Sequence, residues 1–173
     1  MEKIMQIKTE RLSLKHLSDT DAFALKELFT NEEVKKTYMV PDFADDKAFL
    51  KTFSYLKKSS LDDHGHTAGI FLNEKLIGLF HKVEVIGDRV EVGYAIHPHF
   101  WSQGYATEAL QAGIAYFFER GFSEVYAGAF KTNLASTKVM EKAGMRKTNM
   151  KASIEYRGKT YPCVYYSIKK VNE

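Results

Sequence analysis

The chain has 173 residues, of which 45% are hydrophobic and 27% charged, as is usual for one globular domain spanning residues 1–173. The formal net charge is +3 and acids and bases are interspersed, so there is no basic run of the kind that binds nucleic acid. A small positive charge is compatible with a small anionic ligand. Because Cys163 is the only cysteine, an intrachain disulfide and a CxxC zinc site are excluded. The opening Met1-Glu2-Lys3 is polar and no apolar run is long enough to span a membrane, so we expect a cytoplasmic protein without a membrane partner.

The first third of the chain predicts one strand and two helices. Residues 5–16 contain a short apolar/polar alternation that is typical of a strand. Ser18 or Asp19 can cap a helix whose apolar stripe is Ala22, Leu25, Leu28 and Phe29. A second helix is expected from about Asp45 to Ser60. The turn at residues 62–66 carries two aspartates and two histidines, but we disfavour a metal site there because no further ligands stand at suitable spacing.

The middle of the chain is β-rich. Residues 67–72 and 76–81 read as a hairpin, and a second turn at Gly87-Asp88 leads into a third strand at 90–96. This third strand alternates strictly, so we expect Val90, Val92, Tyr94 and Ile96 on one face and Glu91, Gly93, Ala95 and His97 on the other. Pro98 ends it, because proline cannot extend a hydrogen-bonded ladder.

The stretch at residues 100–109 joins this strand to an amphipathic helix predicted from Ala106 to about Arg120. Backbone N–H groups at a helix start have no intrahelical partner and lie at the positive end of the helix dipole. Gly104, with small residues at 102, 106 and 107, would let a diphosphate approach them closely. The alternative is an ordinary strand–turn–helix connection.

The last third predicts a strand at 125–130, a helix from Asn133 to Ala143 and a terminal hairpin between Met145 and Lys170. The element order therefore predicts an α/β fold with a mixed sheet, antiparallel at first and with one crossover through the helix that follows residue 104.

Two blocks of residues resemble a known family. They are Trp101-Ser102-Gln103-Gly104-Tyr105-Ala106-Thr107-Glu108-Ala109, and Asn133-Leu134-Ala135-Ser136 leading to Glu141-Lys142-Ala143-Gly144-Met145. Together with Thr9-Glu10-Arg11-Leu12 and Glu91-Val92-Gly93-Tyr94, they are similar to the GNAT superfamily of acyl-CoA-dependent N-acyltransferases. The resemblance covers nearly the whole chain, and is closest to the branch of ribosomal-protein alanine and serine N-acetyltransferases (RimJ/RimL-like). Trp101 replaces the Gln or Arg of the loop pattern, and Ser102 stands where this branch usually has glycine.

The resemblance implies a GNAT-like fold: a mostly antiparallel sheet of six to seven strands, splayed at the cofactor site and flanked by about four helices. Acetyl-CoA, with no metal, would lie in the splayed gap. The diphosphate would contact the loop, the pantetheine arm would pair with the strand, and Asn133 would hold the arm from the other side. The implied contact residues are Tyr94, Ala95, Ile96, Ser102, Gln103, Gly104, Tyr105, Ala106, Thr107, Asn133 and Ser136.

Transfer to an amine needs a neutral amine and a proton for the departing thiolate. The resemblance makes Glu91 and Glu155 the two candidate bases, and the alternatives are a salt bridge on a sheet face for Glu91 and an exposed hairpin residue for Glu155. Many relatives use a helix tyrosine as the proton donor, but Met140 occupies that position here. Ser136 is therefore the implied donor or thiolate stabiliser, its alternative being a helix-surface serine.

The leading hypothesis is an acetyl-CoA-dependent N-acetyltransferase that acts on a protein N-terminal α-amine or on a small-molecule amine. The alternatives are a non-catalytic acyl-CoA-binding sensor on the same scaffold and an unrelated phosphate-binding α/β protein. We expect the segment from Val34 to Asp63 to form one wall of the acceptor cleft, which His81 could also face. His97 and His99 flank the loop and could serve merely as contacts to the cofactor. A homodimer is compatible with the branch. The identity of the amine, the choice between the two glutamates and the range of acyl groups stay open.

Overall fold

The structure is a computed structural model that describes residues 4–172, so the opening Met1-Glu2-Lys3 lies outside the described residues. Within this range, eight strands form one mixed sheet in the order β1-β2-β3-β4-β5-β6-β8-β7. The strands are β1 (Ile7–Lys8), β2 (Leu12–Lys15), β3 (Thr67–Leu72), β4 (Lys75–Ile86), β5 (Arg89–Ile96), β6 (Glu124–Phe130), β7 (Arg146–Tyr156) and β8 (Lys159–Lys169). The helices are α1 (Ala22–Thr30), α2 (Glu32–Lys35), α3 (Asp46–Ser60), α4 (Tyr105–Glu119) and α5 (Leu134–Lys142).

The predicted α/β fold with a mixed sheet is confirmed, with differences in the element count. The single strand expected over residues 5–16 is two strands, because the chain turns at Thr9-Glu10-Arg11 and the Thr9 N–H donates to the Leu12 carbonyl at 2.9 Å. The short helix α2 was not predicted. Its start is stabilised by the Asn31 side chain, which accepts from the N–H groups of Glu33 and Val34. The divided strand and the extra helix bring the described residues to eight strands and five α-helices.

The first of two compact units consists of Met1–His81 and Tyr94–Ala109. Its strands β1 to β4 pair antiparallel in chain order. Helix α3 begins after Asp45, whose side chain accepts from the Ala48 N–H, and it ends with Lys57 and Lys58 in its last turn, where cations complement the helix dipole. The apolar faces of its elements form one core, which consists of Leu17, Leu25, Leu28, Phe29, Val34, Val40, Phe49, Phe53, Phe71, Leu76 and Leu79.

The second compact unit consists of Lys82–Gly93 and Leu110–Glu173. Its strand β6 pairs parallel with β5 from Arg89 to Glu91, as the predicted crossover through α4 requires, and antiparallel with β8. Strands β7 and β8 form the predicted terminal hairpin. The splaying of the sheet beyond Glu91 and the assignment of residues 1–173 to a single domain stay predictions.

Candidate active site

The loop that precedes α4 has two residues with left-handed backbone. Ser102 has a φ of 61° and Gly104 a φ of 81°. Helix α4 begins at Tyr105, and the Glu108 N–H donates to the Gly104 carbonyl at 3.0 Å, which closes the first turn. The N–H groups of the first turn, at residues 105–107, therefore precede any intrahelical acceptor. Residues 102–104 are exposed, so an anion can reach these donors at the positive end of the helix dipole.

Ser102 is the position at which the loop departs from the branch pattern, and its backbone explains why glycine is usual there. A left-handed conformation brings Cβ close to the following carbonyl oxygen, a strain of about 1–2 kcal/mol that glycine avoids. The serine adopts this conformation nevertheless. The turn therefore keeps the shape that a glycine would give, with less conformational freedom in the unfolded chain.

Trp101 anchors the loop to the end of β5. Its indole N–H donates to the Ile96 carbonyl at 2.6 Å, and the His97 N–H donates to the Ile77 carbonyl at 2.8 Å. Of the three strand residues predicted to pair with pantetheine, Ile96 thus already has a partner on its carbonyl oxygen.

Arg11 and Thr9 hold the first turn of α4 through Glu108. One carboxylate oxygen of Glu108 accepts from the Thr9 hydroxyl at 2.6 Å and from the Arg11 backbone N–H at 2.8 Å, and the other accepts from Arg11 Nε at 2.7 Å. Arg11 Nη1 also donates to the Gln103 carbonyl at 2.8 Å, and the guanidinium lies 4.4 Å from the centre of the Tyr105 ring. Burial alone would raise the pKa of Glu108, but these hydrogen bonds and the charge of Arg11 lower it.

His97 and His99 lie directly before the loop and contact each other. His97 Nδ1 accepts from the His99 N–H at 3.2 Å, and the ring centres are 4.6 Å apart. Burial, followed by the neighbouring His99, lowers the pKa of His97. His97 is therefore neutral at physiological pH and supplies no positive charge for a phosphate.

His81 is hydrogen-bonded to Tyr38, a pairing that the sequence did not predict. Tyr38 Oη and His81 Nε2 are 2.5 Å apart, and the rings meet edge to face. Burial raises the pKa of Tyr38, so the phenol stays protonated, and the tautomer of His81 decides which of the two groups donates the hydrogen bond. Tyr38 lies in the segment from Val34 to Asp63 that was expected to form a wall of the acceptor cleft.

In the second unit, Glu91 is a half-buried carboxylate on β5. It lies beside Tyr126 of β6 in the parallel register. Burial raises the pKa of Glu91, and the negative charge of Glu84 raises it further. The nearby Arg89 forms an ion pair with Glu124 at 2.8 Å instead. None of the ion pairs found among the described residues includes Glu91.

Two tyrosines share the sheet face of Glu91. The registers place Glu91 opposite Tyr126 and Gly128 opposite Tyr165, and alternate residues of a strand point to the same side. Burial first, and the charge of Glu91 next, raise the pKa of both phenols, so they stay protonated. The ring of Tyr165 lies against β6 at Gly128, where a Cβ would be 2.6 Å from its Cε1 atom. Neither tyrosine was predicted from the sequence.

Glu155 lies on the opposite face of the sheet from Glu91. Glu155 pairs with Thr160 of β8, so the two side chains lie on the same face. Along β8, Thr160 shares its face with Val164 and Tyr166, whereas Tyr165 points to the other face, which is that of Glu91. Tyr166 donates from its hydroxyl to Glu141 of α5, so this face is the one that packs on the helix. Glu155 is exposed at a shallow concave surface formed by hairpin residues 155–160.

Asn133 and Ser136 meet at the start of α5. The Asn133 Oδ1 atom caps the helix by accepting from the Ser136 N–H at 3.1 Å, so the group that it can offer a ligand is its Nδ2 donor. Ser136 is half-buried, whereas Met140 one turn later is fully buried and belongs to the core. Met140 has no proton to donate, so among Asn133, Ser136 and Met140 the only hydroxyl is that of Ser136.

Among residues 4–172 there is no group of three or more His, Cys, Asp or Glu side chains that could hold a metal ion. In the same range, no helix has the length and apolar character needed to cross a membrane.

The comparisons with known proteins agree on one family. A family model described as an acetyltransferase (GNAT) domain matches residues 11–146. The chain is 31% identical over 176 residues to YoaA, an uncharacterized N-acetyltransferase of Bacillus subtilis (strain 168), and the match covers 96% of this chain and 98% of that protein.

Solved structures have the same fold. A crystal structure of a GNAT-family acetyltransferase from Bacillus anthracis superposes with a TM-score of 0.80 at 25% identity, covering 95% of this chain and 98% of that one. RimL, a ribosomal L7/L12 α-N-protein acetyltransferase in complex with coenzyme A, superposes with a TM-score of 0.79 at 18% identity and with the same coverage. At that identity the likeness to RimL concerns the fold alone.

Proposed function

Since this chain belongs to the GNAT family of acetyltransferases and is an acetyl-CoA-dependent N-acetyltransferase, we propose that it transfers the acetyl group directly to a primary amine, either a protein N-terminal α-amine or a small-molecule amine. The observation that carries the proposal is Glu91, a half-buried carboxylate whose charge no described cation neutralises. Glu84 adds a second negative charge to its surroundings. Such a site attracts an ammonium ion.

Glu91 is the proposed base. An ammonium ion cannot attack a thioester until it loses a proton, and a carboxylate accepts that proton more readily as its pKa rises. Burial moves the pKa of Glu91 in this direction. In the proposed step the amine proton passes to Glu91, directly or through a water molecule, and the neutral nitrogen forms a bond to the thioester carbon.

Once bonded to the thioester carbon, the nitrogen must lose a second proton, and the thiolate that leaves when the carbon–sulfur bond breaks must gain one. Ser136 is the proposed relay: its hydroxyl donates a proton to the thiolate and recovers one from the nitrogen, directly or through a water molecule. Its position is fixed by the cap that Asn133 makes at the start of α5. Asn133 Nδ2 would hold the pantetheine arm, and the backbone of Tyr94, Ala95 and Ile96 would pair with it. The loop from Ser102 to Thr107 would hold the diphosphate, a role supported by its two left-handed residues and by the N–H groups at the start of α4.

The acceptor is proposed to be an α-amine or a similarly acidic amine. An α-amine has a pKa near 8 and a lysine side chain a pKa near 10.4, so deprotonating the lysine is harder by roughly 3 kcal/mol. A carboxylate base works best on the more acidic of the two. The resemblance to the RimJ/RimL-like branch points to the same class, since RimL is a protein α-amino acetyltransferase.

The test is thiol release from acetyl-CoA with a panel of acceptors: peptides with free N-termini, the same peptides blocked at the α-amine but containing lysine, polyamines and aminoglycosides. We expect peptides with free N-termini or small α-amines to be acetylated. Glu91→Gln should abolish most of this activity and Ser136→Ala should lower kcat. If no acceptor in the panel raises thiol release above hydrolysis while acetyl-CoA still binds, the non-catalytic sensor is the better assignment.

Glu155 is the second candidate base, favoured by its resemblance to a functional glutamate of the ribosomal-protein acetyltransferases. Because Glu91 and Glu155 lie on opposite faces of the sheet, they are alternatives rather than partners. Glu155→Gln is therefore the matched variant for Glu91→Gln. We expect kcat to fall in the Glu91 variant and to change little in the Glu155 variant, and the reverse result would transfer the base role to Glu155.

A further inference from the structure

We propose that Arg11 is a positioning residue that sets the orientation of the diphosphate loop and neutralises Glu108 beneath it. The inference rests on the proposed function, in which this loop holds the diphosphate of acetyl-CoA. It adds a residue from the turn between β1 and β2, far from the loop in the sequence, to the binding of the donor.

Arg11 fixes the direction of one peptide group in the loop. Arg11 Nη1 holds the Gln103 carbonyl at 2.8 Å. A trans peptide is planar, so its carbonyl and N–H point in opposite directions. With the Gln103 carbonyl fixed toward Arg11, the Gly104 N–H points away from Arg11. Arg11 thus sets the direction in which the loop presents its N–H groups.

Arg11 also compensates a negative charge beside the loop. Glu108 lies in the first turn of α4, where a carboxylate is favourable for the helix but would repel a diphosphate bound at the same end. Arg11 occupies both oxygens of that carboxylate, one through its backbone N–H and the other through Nε. The ion pair removes the net negative charge from the phosphate side of the helix.

The side-chain contacts of Arg11 are all made by one planar group. The guanidinium joins Glu108, the Gln103 carbonyl and the face of Tyr105, and its Nη2 atom is 3.2 Å from where a Cβ on Gly104 would lie. A lysine carries the same charge, but as a single point, and it cannot bond Glu108 and the Gln103 carbonyl in this fork. The role therefore depends on the shape of arginine as well as on its charge.

The experiment compares two acetyl donors, acetyl-CoA and S-acetylpantetheine, which lacks the diphosphate and the adenosine. Wild type, Arg11→Met and Arg11→Lys are assayed with one acceptor. Lys15→Met is the matched control, because Lys15 forms a comparable ion pair with Glu74 at 2.7 Å in the same unit. Melting temperatures are measured for all four proteins, and Arg11→Lys keeps the test possible if Arg11→Met does not fold.

We expect both Arg11 variants to raise the KM for acetyl-CoA about tenfold, since each loses charge-assisted hydrogen bonds, while the KM for S-acetylpantetheine and kcat stay close to wild type. Lys15→Met should change neither KM. An Arg11→Lys variant with wild-type KM for acetyl-CoA would overturn the positioning role in favour of a simple charge contact. Equal increases of KM for both donors would mean that Arg11 only stabilises the fold. A wild-type protein that uses neither donor would refute the proposed function itself.

Discussion

Replacing Gly128 with alanine tests whether the glycine exists to let the Tyr165 ring lie against β6. The added Cβ would be 2.6 Å from Tyr165 Cε1 and 3.0 Å from Cδ1. Ordinary van der Waals contact between carbon atoms is about 3.5–4.0 Å, so the ring must move by about 1 Å. Because Tyr165 is half-buried on the face of Glu91, we expect Gly128→Ala to lower the free energy of unfolding by about 1–3 kcal/mol, the usual range for overpacking.

The assay is a double-mutant cycle by urea unfolding. Gly128→Ala, Tyr165→Ala and the double variant are compared with wild type, since the alanine at 165 removes the ring that the new methyl group would meet. The coupling between the two sites should be about 1–3 kcal/mol, the range for residues in direct contact. The same shift of the ring beside Glu91 should lower kcat in Gly128→Ala. A Gly128→Ala cost that is the same with and without the Tyr165 ring would refute the reasoning.

Three further predictions concern charge, strain and the acceptor wall. The pKa of Glu91 is raised in the folded protein, so its charge destabilises the fold once the pH exceeds that pKa. Glu91→Gln should therefore raise the melting temperature at pH 7 but not at pH 4, and a lower melting temperature at pH 7 would contradict this. The backbone of Ser102 is left-handed, a conformation that a β-branched residue adopts only with strain. Ser102→Val should therefore lower the melting temperature and raise the KM for acetyl-CoA, whereas Ser102→Gly should do neither. A Ser102→Val variant indistinguishable from wild type would count against this loop geometry. Tyr38→Phe removes a hydrogen bond to His81, so it should lower the free energy of unfolding by about 1 kcal/mol. It should also raise the KM for the acceptor and leave the KM for acetyl-CoA unchanged. A change in the KM for acetyl-CoA alone would argue against a place for Tyr38 in the acceptor wall.

Elements with strong local signals could be predicted from the sequence. Helix α3 starts one residue after the predicted Asp45, which is its cap, and α5 follows its predicted cap Asn133. The parallel pairing of β5 with β6 follows from the crossover. These features depend on residues close together in the chain, where capping and periodicity act.

Features that depend on distant residues could not be predicted. The contacts of Arg11 with Glu108 join positions 97 residues apart, and those of Tyr38 with His81 join positions 43 apart. Likewise, the choice of face for Glu155 depends on the register of β7 with β8 and of β8 with β6. A one-residue change in either register would reverse the face, and alternation within a single strand carries no information about register.

The surroundings of Glu91 have a consequence for the choice of acceptor. Its charge and that of Glu84 attract any ammonium ion, so a lysine side chain or a polyamine should bind as readily as an α-amine. Transfer, however, requires that the bound ammonium give up its proton, and this step favours the α-amine by roughly 3 kcal/mol. Binding at Glu91 therefore does not distinguish the two classes of amine, whereas the transfer step does. On the proposed mechanism, the more basic amines should compete with an α-amine acceptor for binding and inhibit its acetylation, while being acetylated more slowly themselves.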